Sequence, residues 1–294
     1  MSIEEDIYKI IYREMDTLLD KMVEDFNRNY VKKEHNWILS GFDPSIVSNM
    51  VFVSSFESKY GNMFEEIIRG VTEITYGKEN VPKTVKGVGI SDSEYESYIR
   101  HFNKKGQYVI SKFDKKKNDG KLSQFRADHL AQGSGSNRRP STLTQDELPL
   151  LLNQTFEFSS TPVEQPADLI FYNPDEKKYK LFEIKAGGDL DSSNAPKNVE
   201  KMLKIYASLG KPNANLYFAT LYHKDGEGRN WTGVVKRHLS EDSILIGKAF
   251  WEQILQDISF DQFRGVYKQA FNDTGFNTTL SDLINETARN GPRL

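Results

Sequence analysis

The first 75 residues carry a pattern of apolar positions that predicts long helices. Between residues 4 and 31, apolar side chains recur every three or four positions, which places them along one helix face. These positions are Ile7, Ile10, Ile11, Met15, Leu18, Leu19, Met22, Val23 and Phe26. After a turn at residues 40–44, similar spacing predicts a second helix over residues 45–52 and a third over residues 54–74. We therefore expect this part of the chain to be helical.

The middle of the chain contains the pattern of a β-hairpin. Apolar runs at residues 169–172 and 179–184 flank an Asn-Pro-Asp-Glu break, and apolar runs bounded by turn-forming residues are typical of paired strands. Asp168 precedes the first run, while Glu183 and Lys185 lie two positions apart on the second. Alternate residues of a strand point to the same side. We therefore expect Glu183 and Lys185 to project together, with Asp168 able to join them across the hairpin.

Helix and strand patterns alternate after the hairpin. A helix is predicted over residues 197–209, with Pro196 at its start and Gly210 at its end. Further strands are predicted at residues 215–222, 231–235 and 243–246, and further helices at residues 248–255 and 260–271. The order strand, strand, helix, strand predicts an α/β fold with a mixed central sheet flanked by helices.

Two carboxylates beside a lysine on an apolar strand predict a metal site. Ionised groups in a low-dielectric environment need a partner of opposite charge, and Mg²⁺ takes oxygen ligands, usually one or two carboxylates with water and substrate phosphate. We therefore expect Asp168 and Glu183 to bind Mg²⁺, and we count Ile184 among the metal-binding candidates. Lys185 would hold or activate the attacking water in phosphodiester hydrolysis. The alternative interpretation is a structural ion pair or an inactive relative of the same fold.

The same residues resemble a known nuclease signature. Pro166 and Asp168, followed after fourteen intervening residues by Glu183 and Lys185, resemble the PD-(D/E)xK motif. As a bare pattern the motif is weak, because Asp, Glu and Lys are common residues. Its context strengthens it, since the Glu-Ile-Lys triplet lies on an apolar strand that ends in two glycines and precedes a helix. The resemblance implies a restriction-endonuclease-like core.

The composition of the chain argues against several classes of protein. No apolar run approaches the roughly 20 residues of a membrane span, and the first residues are acidic where a signal peptide is basic, so we expect a cytoplasmic protein without a membrane partner. The absence of cysteine excludes disulfides and thiolate metal sites. No G-x-x-x-x-G-K-[ST] motif occurs, so no nucleotide cofactor is expected. The net charge of −3 argues against a protein that coats DNA nonspecifically, although clustered basic residues still permit DNA binding.

Two segments supply candidates for DNA contact. Arg138 and Arg139 end a loop rich in glycine and serine, and arginine can read a guanine edge in the major groove. An idle surface loop is the alternative there. Asn194 and Lys197 follow the glycine-rich segment after the hairpin, where small residues allow close backbone approach to a phosphate.

Several segments resemble type II restriction endonucleases of the TdeIII-like group, which act on GGNCC-type sites. These segments are ADLIFY, LFEIKAG, NLYFATLY, NWTGVV, SILIGKAFWEQIL, SFDQFRGVYKQAF and, nearer the N-terminus, SFESKYGNMFEEI. The resemblance implies that Asp168 and Glu183 bind Mg²⁺, that Lys185 is catalytic, and that Glu65 assists from an upstream helix. It also implies a homodimer that cuts both strands of double-stranded DNA. The chain departs from the group after the lysine, where Ala-Gly-Gly replaces a threonine-type continuation, and the exact target therefore stays open.

The domain interpretation is a single nuclease domain over residues 1–294. It comprises an N-terminal helical part (1–75), an insertion or DNA-contacting region with few clear patterns (76–150) and a catalytic core (151–275). Within the second part, only residues 85–90 and 108–113 have the pattern of strands. Two other functions remain open: a different nuclease on the same scaffold, such as a repair enzyme, junction resolvase or modification-dependent endonuclease, and a non-enzymatic DNA-binding protein.

Overall fold

The computed structural model describes residues 2–39, 41–131, 140–187 and 190–290. Its helices are α1 (Ile3–Glu34), α2 (Pro44–Tyr76), α3 (Asp92–Ile99), α4 (Lys115–Asp128), α5 (Asn194–Leu209), α6 (Lys248–Ile254), α7 (Phe260–Asp273) and α8 (Phe276–Asn290). Its strands are β1 (Thr84–Lys86), β2 (Gln107–Phe113), β3 (Phe158–Ala167), β4 (Leu169–Asn173), β5 (Lys178–Lys185), β6 (Ala214–Thr220) and β7 (Ile244–Ile246). No helix in these ranges is long and apolar enough to cross a membrane.

The chain divides into two compact units. A helical unit comprises Met1–Thr75 and Leu255–Leu294, and a sheet unit comprises Tyr76–Ile254. The sheet unit therefore combines the region that the sequence left without clear patterns with most of the expected catalytic core. The assignment of one nuclease domain to the whole chain stays a prediction.

In the helical unit, the periodic pattern of the first helix is confirmed by α1. Most of its apolar stripe is buried, including Ile7, Ile11, Met22 and Phe26, whereas Val23 is exposed. The start of the helix is fixed by Ser2, whose hydroxyl accepts a hydrogen bond from the backbone N–H of Glu5 at 3.2 Å, as expected for an N-cap residue. α1 packs against α7 and α8, which buries the stripe.

The prediction of two separate helices over residues 45–52 and 54–74 was wrong. They form one continuous helix, α2, because the residue between them is valine, which carries no helix-breaking signal. Pro44 begins the helix, where its missing N–H has no cost and its fixed φ favours the first turn. Helix α8, which follows Gly275 at a positive φ of 66°, was not predicted.

Two sheets form the framework of the sheet unit. The first has the order β1-β2-β3, with β1 parallel and β3 antiparallel to β2. The second has the order β4-β5-β6-β7, with β4 and β5 antiparallel and the remaining neighbours parallel. The predicted hairpin is confirmed, with Leu169 opposite Phe182. The mixed α/β fold class is confirmed as well, since both sheets are mixed and flanked by helices.

Residues 76–150 contain more regular structure than their sequence indicated. β1 and β2 are close to the two predicted strands, whereas α3 and α4 were not predicted. α4 has no clear apolar stripe, and its start is defined by Asp114, which accepts hydrogen bonds from two backbone N–H groups of the first turn. Val109, Phe113 and Leu122 lie in the same hydrophobic core as β4, β5 and β6.

The strand predicted at residues 231–235 is absent. The structure instead has an extended segment followed by a 3₁₀ turn at Val234–Arg237. The Trp231 ring is buried and packs near Phe218, with centroids 6.3 Å apart. It also lies against Gly233, where a Cβ would be 2.0 Å from the ring, so the close approach requires glycine.

Helix α5 supports both sheets. It packs against β2 and β3 of the first sheet and against β5 and β6 of the second. Its predicted inward stripe is confirmed by the complete or nearly complete burial of Val199, Met202 and Leu203. Gly210 ends the helix, as predicted, and has the left-handed conformation with φ 64°. The helix begins earlier than predicted, with Pro196 in its first turn.

Candidate functional site

Asp168 lies at the junction of the two sheets. β3 ends at Ala167 and β4 begins at Leu169, so the aspartate occupies the single residue between them. Its Oδ2 atom accepts a hydrogen bond of 2.8 Å from the backbone N–H of Ile184 on β5. This bond holds one oxygen of the carboxylate against the strand that carries the other predicted site residues.

Glu183 and Lys185 lie together on β5, as the alternation of strand side chains predicts. The Lys185 ammonium donates a hydrogen bond of 2.6 Å to Glu183 Oε1. The Glu183 side chain is only 1% exposed, whereas that of Lys185 is 31% exposed. The carboxylate is therefore buried at the base of the site, and the ammonium lies nearer to solvent.

A second lysine, Lys201 on α5, completes the site. Its Nζ atom lies 3.2 Å from Asp168 Oδ1 and 2.5 Å from Glu183 Oε2. Burial lowers the pKa of Lys201 by desolvation, but the two carboxylates outweigh this effect and the net shift is upward. The sequence pattern did not indicate Lys201. Lys201 precedes the buried residues Met202 and Leu203 on α5, and α5 packs on β5. Only this packing brings the Lys201 side chain to the carboxylates.

One oxygen of Glu183 is paired with a cation. Glu183 Oε2 is buried, and the Lys201 ammonium lies 2.5 Å from it. A buried anionic oxygen is costly unless a positive charge lies beside it. Lys201 supplies that charge here, and a bound metal ion at the same oxygen would supply it instead.

The residues present fit a cation that keeps part of its water shell. Since the Lys201 ammonium contacts an oxygen of Asp168 and an oxygen of Glu183 together, both oxygens are within reach of one small ion. Ile184 has an apolar side chain, and its N–H is bonded to Asp168, so it could offer only its carbonyl oxygen. Within the described ranges, no three or more His, Asp or Glu side chains cluster as a complete metal cage. Mg²⁺ needs no such cage, because it retains water and phosphate ligands.

The remaining candidates are Glu65, Asn194, Lys197, Arg138 and Arg139. Glu65 is an exposed residue of α2 in the helical unit, and its assisting role stays a prediction. Asn194, the first residue of α5, donates from its amide to Asp191 at 2.8 Å, and Lys197 is exposed on the first turn. Contact of these two residues with phosphate stays a prediction. Arg138 and Arg139 lie outside the described residues.

A separate polar network lies on the α4 side of α5. Glu200 of α5 accepts hydrogen bonds from Ser123 at 2.9 Å and from Arg126 at 3.1 Å. Arg126 also lies 3.0 Å from Nδ1 of His238, which is 8% exposed. Burial, reinforced by the Arg126 charge, lowers the pKa of His238 to about 4. Glu200 opposes this shift but does not reverse it.

Two mixed sheets flanked by helices are consistent with a restriction-endonuclease-like fold. The family model described as "Type II restriction endonuclease, HinfI" matches residues 3–270. The chain therefore belongs to the HinfI family of type II restriction endonucleases, which are DNA-binding, site-specific nucleases. No curated protein and no solved structure matched the chain.

Proposed function

We propose that the chain is a Mg²⁺-dependent endonuclease of the PD-(D/E)xK type that hydrolyses both strands of DNA at a specific sequence. The observation that carries this proposal is that Asp168 Oδ1 and Glu183 Oε2 share one cation, the Lys201 ammonium, and so lie within reach of a single positive ion. Membership of a type II restriction family supports the choice of DNA as substrate. The location in the cytoplasm remains a prediction of the sequence.

Asp168 and Glu183 would hold the metal ion, with the carbonyl of Ile184 as a further candidate ligand. Bound Mg²⁺ would supply charge stabilisation to the scissile phosphate and lower the pKa of a coordinated water. The Ile184 N–H keeps Asp168 Oδ2 in place at 2.8 Å, so that Oδ1 remains directed into the site. Such fixed positions avoid the cost of reorganising ligands during the reaction.

Lys185 would position the attacking water and counter the negative charge that develops on the phosphate. Its hydrogen bond of 2.6 Å to Glu183 Oε1 fixes the ammonium beside the carboxylate pair. Its partial exposure leaves it accessible to water and to a phosphate. Proton transfer or orientation by a positioned side chain commonly contributes about 10²–10⁴-fold to a rate.

The proposal also includes a target sequence and a homodimeric assembly. The resemblance to TdeIII-like enzymes predicts a GGNCC-type site, although the chain departs from that group after Lys185. A homodimer would present the same contacts to two half-sites related by symmetry. Glu65, Asn194 and Lys197, with Arg138 and Arg139, are the candidates for assisting or DNA-contacting roles.

Plasmid cleavage tests the proposal directly. Unmethylated plasmid DNA is incubated with the protein in Mg²⁺ or in EDTA, beside the Glu183→Gln and Lys185→Ala variants. We expect discrete fragments in Mg²⁺ alone, and a loss of at least about 10²-fold in rate for each variant. Lys178→Ala, an exposed lysine on the same strand, is the matched control and should cleave normally.

Sequencing the fragment ends then identifies the site. A common sequence at every end supports a restriction enzyme, and GGNCC-type ends support the TdeIII-like prediction. Preference for branched or damaged DNA would favour another nuclease on this scaffold. Unchanged activity of Glu183→Gln and Lys185→Ala would refute the assignment of the site.

A further inference from the structure

Lys201 occupies the position between the two carboxylates at which a cation would be bound. Its ammonium contacts Asp168 Oδ1 at 3.2 Å and Glu183 Oε2 at 2.5 Å. The other lysine, Lys185, contacts the opposite oxygen of Glu183 at 2.6 Å. The two lysines therefore have different positions, one bridging the carboxylates and one beside them.

Lys201 reduces the electrostatic repulsion between the two carboxylates. Asp168 and Glu183 are 15% and 1% exposed, so water screens their repulsion poorly. Lys185 contacts one of them, whereas Lys201 contacts both. Without a cation between them, two nearby carboxylates would separate or take up a proton. Lys201 keeps the pair together in the absence of metal.

We propose that Lys201 is a positioning residue that holds Asp168 and Glu183 in place in the metal-free protein and leaves them when a divalent cation binds. The inference rests on the proposed metal-dependent function. A divalent ion bound by the same oxygens would lie within a few ångströms of the ammonium, and like charges at that distance repel strongly in a partly buried site. The ammonium and the metal therefore exclude one another.

The structure allows Lys201 to move without disturbing its helix. α5 is anchored by its buried stripe, including Met202 and Leu203, so the backbone at residue 201 is fixed. The Lys201 side chain is nevertheless 38% exposed, and its four-carbon stem is flexible. Rotation of that side chain alone would carry the ammonium into solvent.

Metal affinity in the absence of DNA provides the first test. Mn²⁺ is added to wild type, Lys201→Met and Lys201→Arg, and free Mn²⁺ is measured by electron paramagnetic resonance. We expect Lys201→Met to bind Mn²⁺ about 5- to 10-fold more tightly, because the metal no longer displaces a cation from a partly exposed ion pair. Lys201→Arg retains the competing charge and should bind no more tightly than wild type. Lys204→Met, one turn along the same helix and paired with Asp119 at 2.7 Å, controls for a general loss of positive charge and should stay within twofold of wild type.

Thermal stability provides a second test that separates displacement from a static ion pair. Without metal, Lys201→Met should have a lower Tm than wild type, because its two carboxylates then repel. At saturating Mn²⁺ the difference should disappear, since the ammonium of Lys201 has then left the carboxylates in wild type and is absent from the variant. If Lys201→Met does not fold, Lys201→Gln, which keeps a hydrogen-bond donor, takes its place in both tests.

The outcomes distinguish this inference from the proposed function. Equal Mn²⁺ affinity of wild type and Lys201→Met, with binding that Glu183→Gln abolishes, would overturn the role of Lys201 and leave the metal site intact. A Tm difference that persists at saturating Mn²⁺ would also overturn it, because Lys201 would then remain paired. Absence of Mn²⁺ binding in every variant would overturn both proposals.

Discussion

The buried imidazole of His238 makes folding stability depend on pH. Its pKa is lowered from 6.5 to about 4, mainly by burial and further by Arg126, whose guanidinium donates to Nδ1 at 3.0 Å. Protonation at Nδ1 would break this bond and bring two cations together. Above pH 7.5 the imidazole is neutral in both the folded and the unfolded chain. Between pH 6.5 and about 4, only the unfolded chain takes up the proton, so stability is lost as the pH falls through this window.

The expected loss of unfolding free energy follows from the size of the change in the pKa of His238. At pH 5.0 the unfolded imidazole is about 1.5 pH units below its pKa, and each unit corresponds to about 1.36 kcal/mol. The folded imidazole remains largely neutral at that pH. Wild type should therefore lose about 1–2 kcal/mol of unfolding free energy between pH 7.5 and 5.0 through this residue alone.

Urea unfolding of wild type and His238→Asn at both pH values measures the effect. Asparagine keeps an oxygen acceptor near the position of Nδ1 but does not titrate, so the variant should lack this part of the pH dependence. Contributions from all other groups cancel in the comparison. In Arg126→Met, the loss of unfolding free energy between pH 7.5 and 5.0 should be smaller but still present. Burial, which this variant leaves in place, is the larger cause of the lowered pKa of His238. Equal pH dependence in wild type and His238→Asn would refute the reasoning.

Two further variants test packing around α5. Gly87→Ala should destabilise the protein by about 1–3 kcal/mol in urea unfolding, because the new Cβ would lie 2.1 Å from the backbone oxygen of Ser208. An unchanged free energy of unfolding would refute this, because it would show that Gly87 and helix α5 can move apart without cost. Tyr206→Phe should be neutral or stabilising by about 1 kcal/mol, since the hydroxyl is buried and no described residue bonds to it. A marked loss of stability in the same assay would mean that the hydroxyl has a partner.

Patterns with a short period predicted most of the regular elements. The stripe of α1, the hairpin β4–β5 and the inward face of α5 all follow from the spacing of apolar residues along the chain. Boundaries were less accurate where no breaker separates two helical patterns, as in α2. α3 and α4 were missed because their sequences are polar and are defined by capping residues, Ser91 and Asp114, more than by an apolar face.

The sequence by itself determined that Glu183 and Lys185 lie side by side, because alternation along a strand needs no information from elsewhere in the chain. Only the tertiary structure decided that Asp168 occupies the junction of two sheets and accepts the N–H of Ile184. It alone also brought Lys201 to both carboxylates. These contacts depend on how α5 packs across the sheets, and packing between distant segments leaves no periodic signal in the chain.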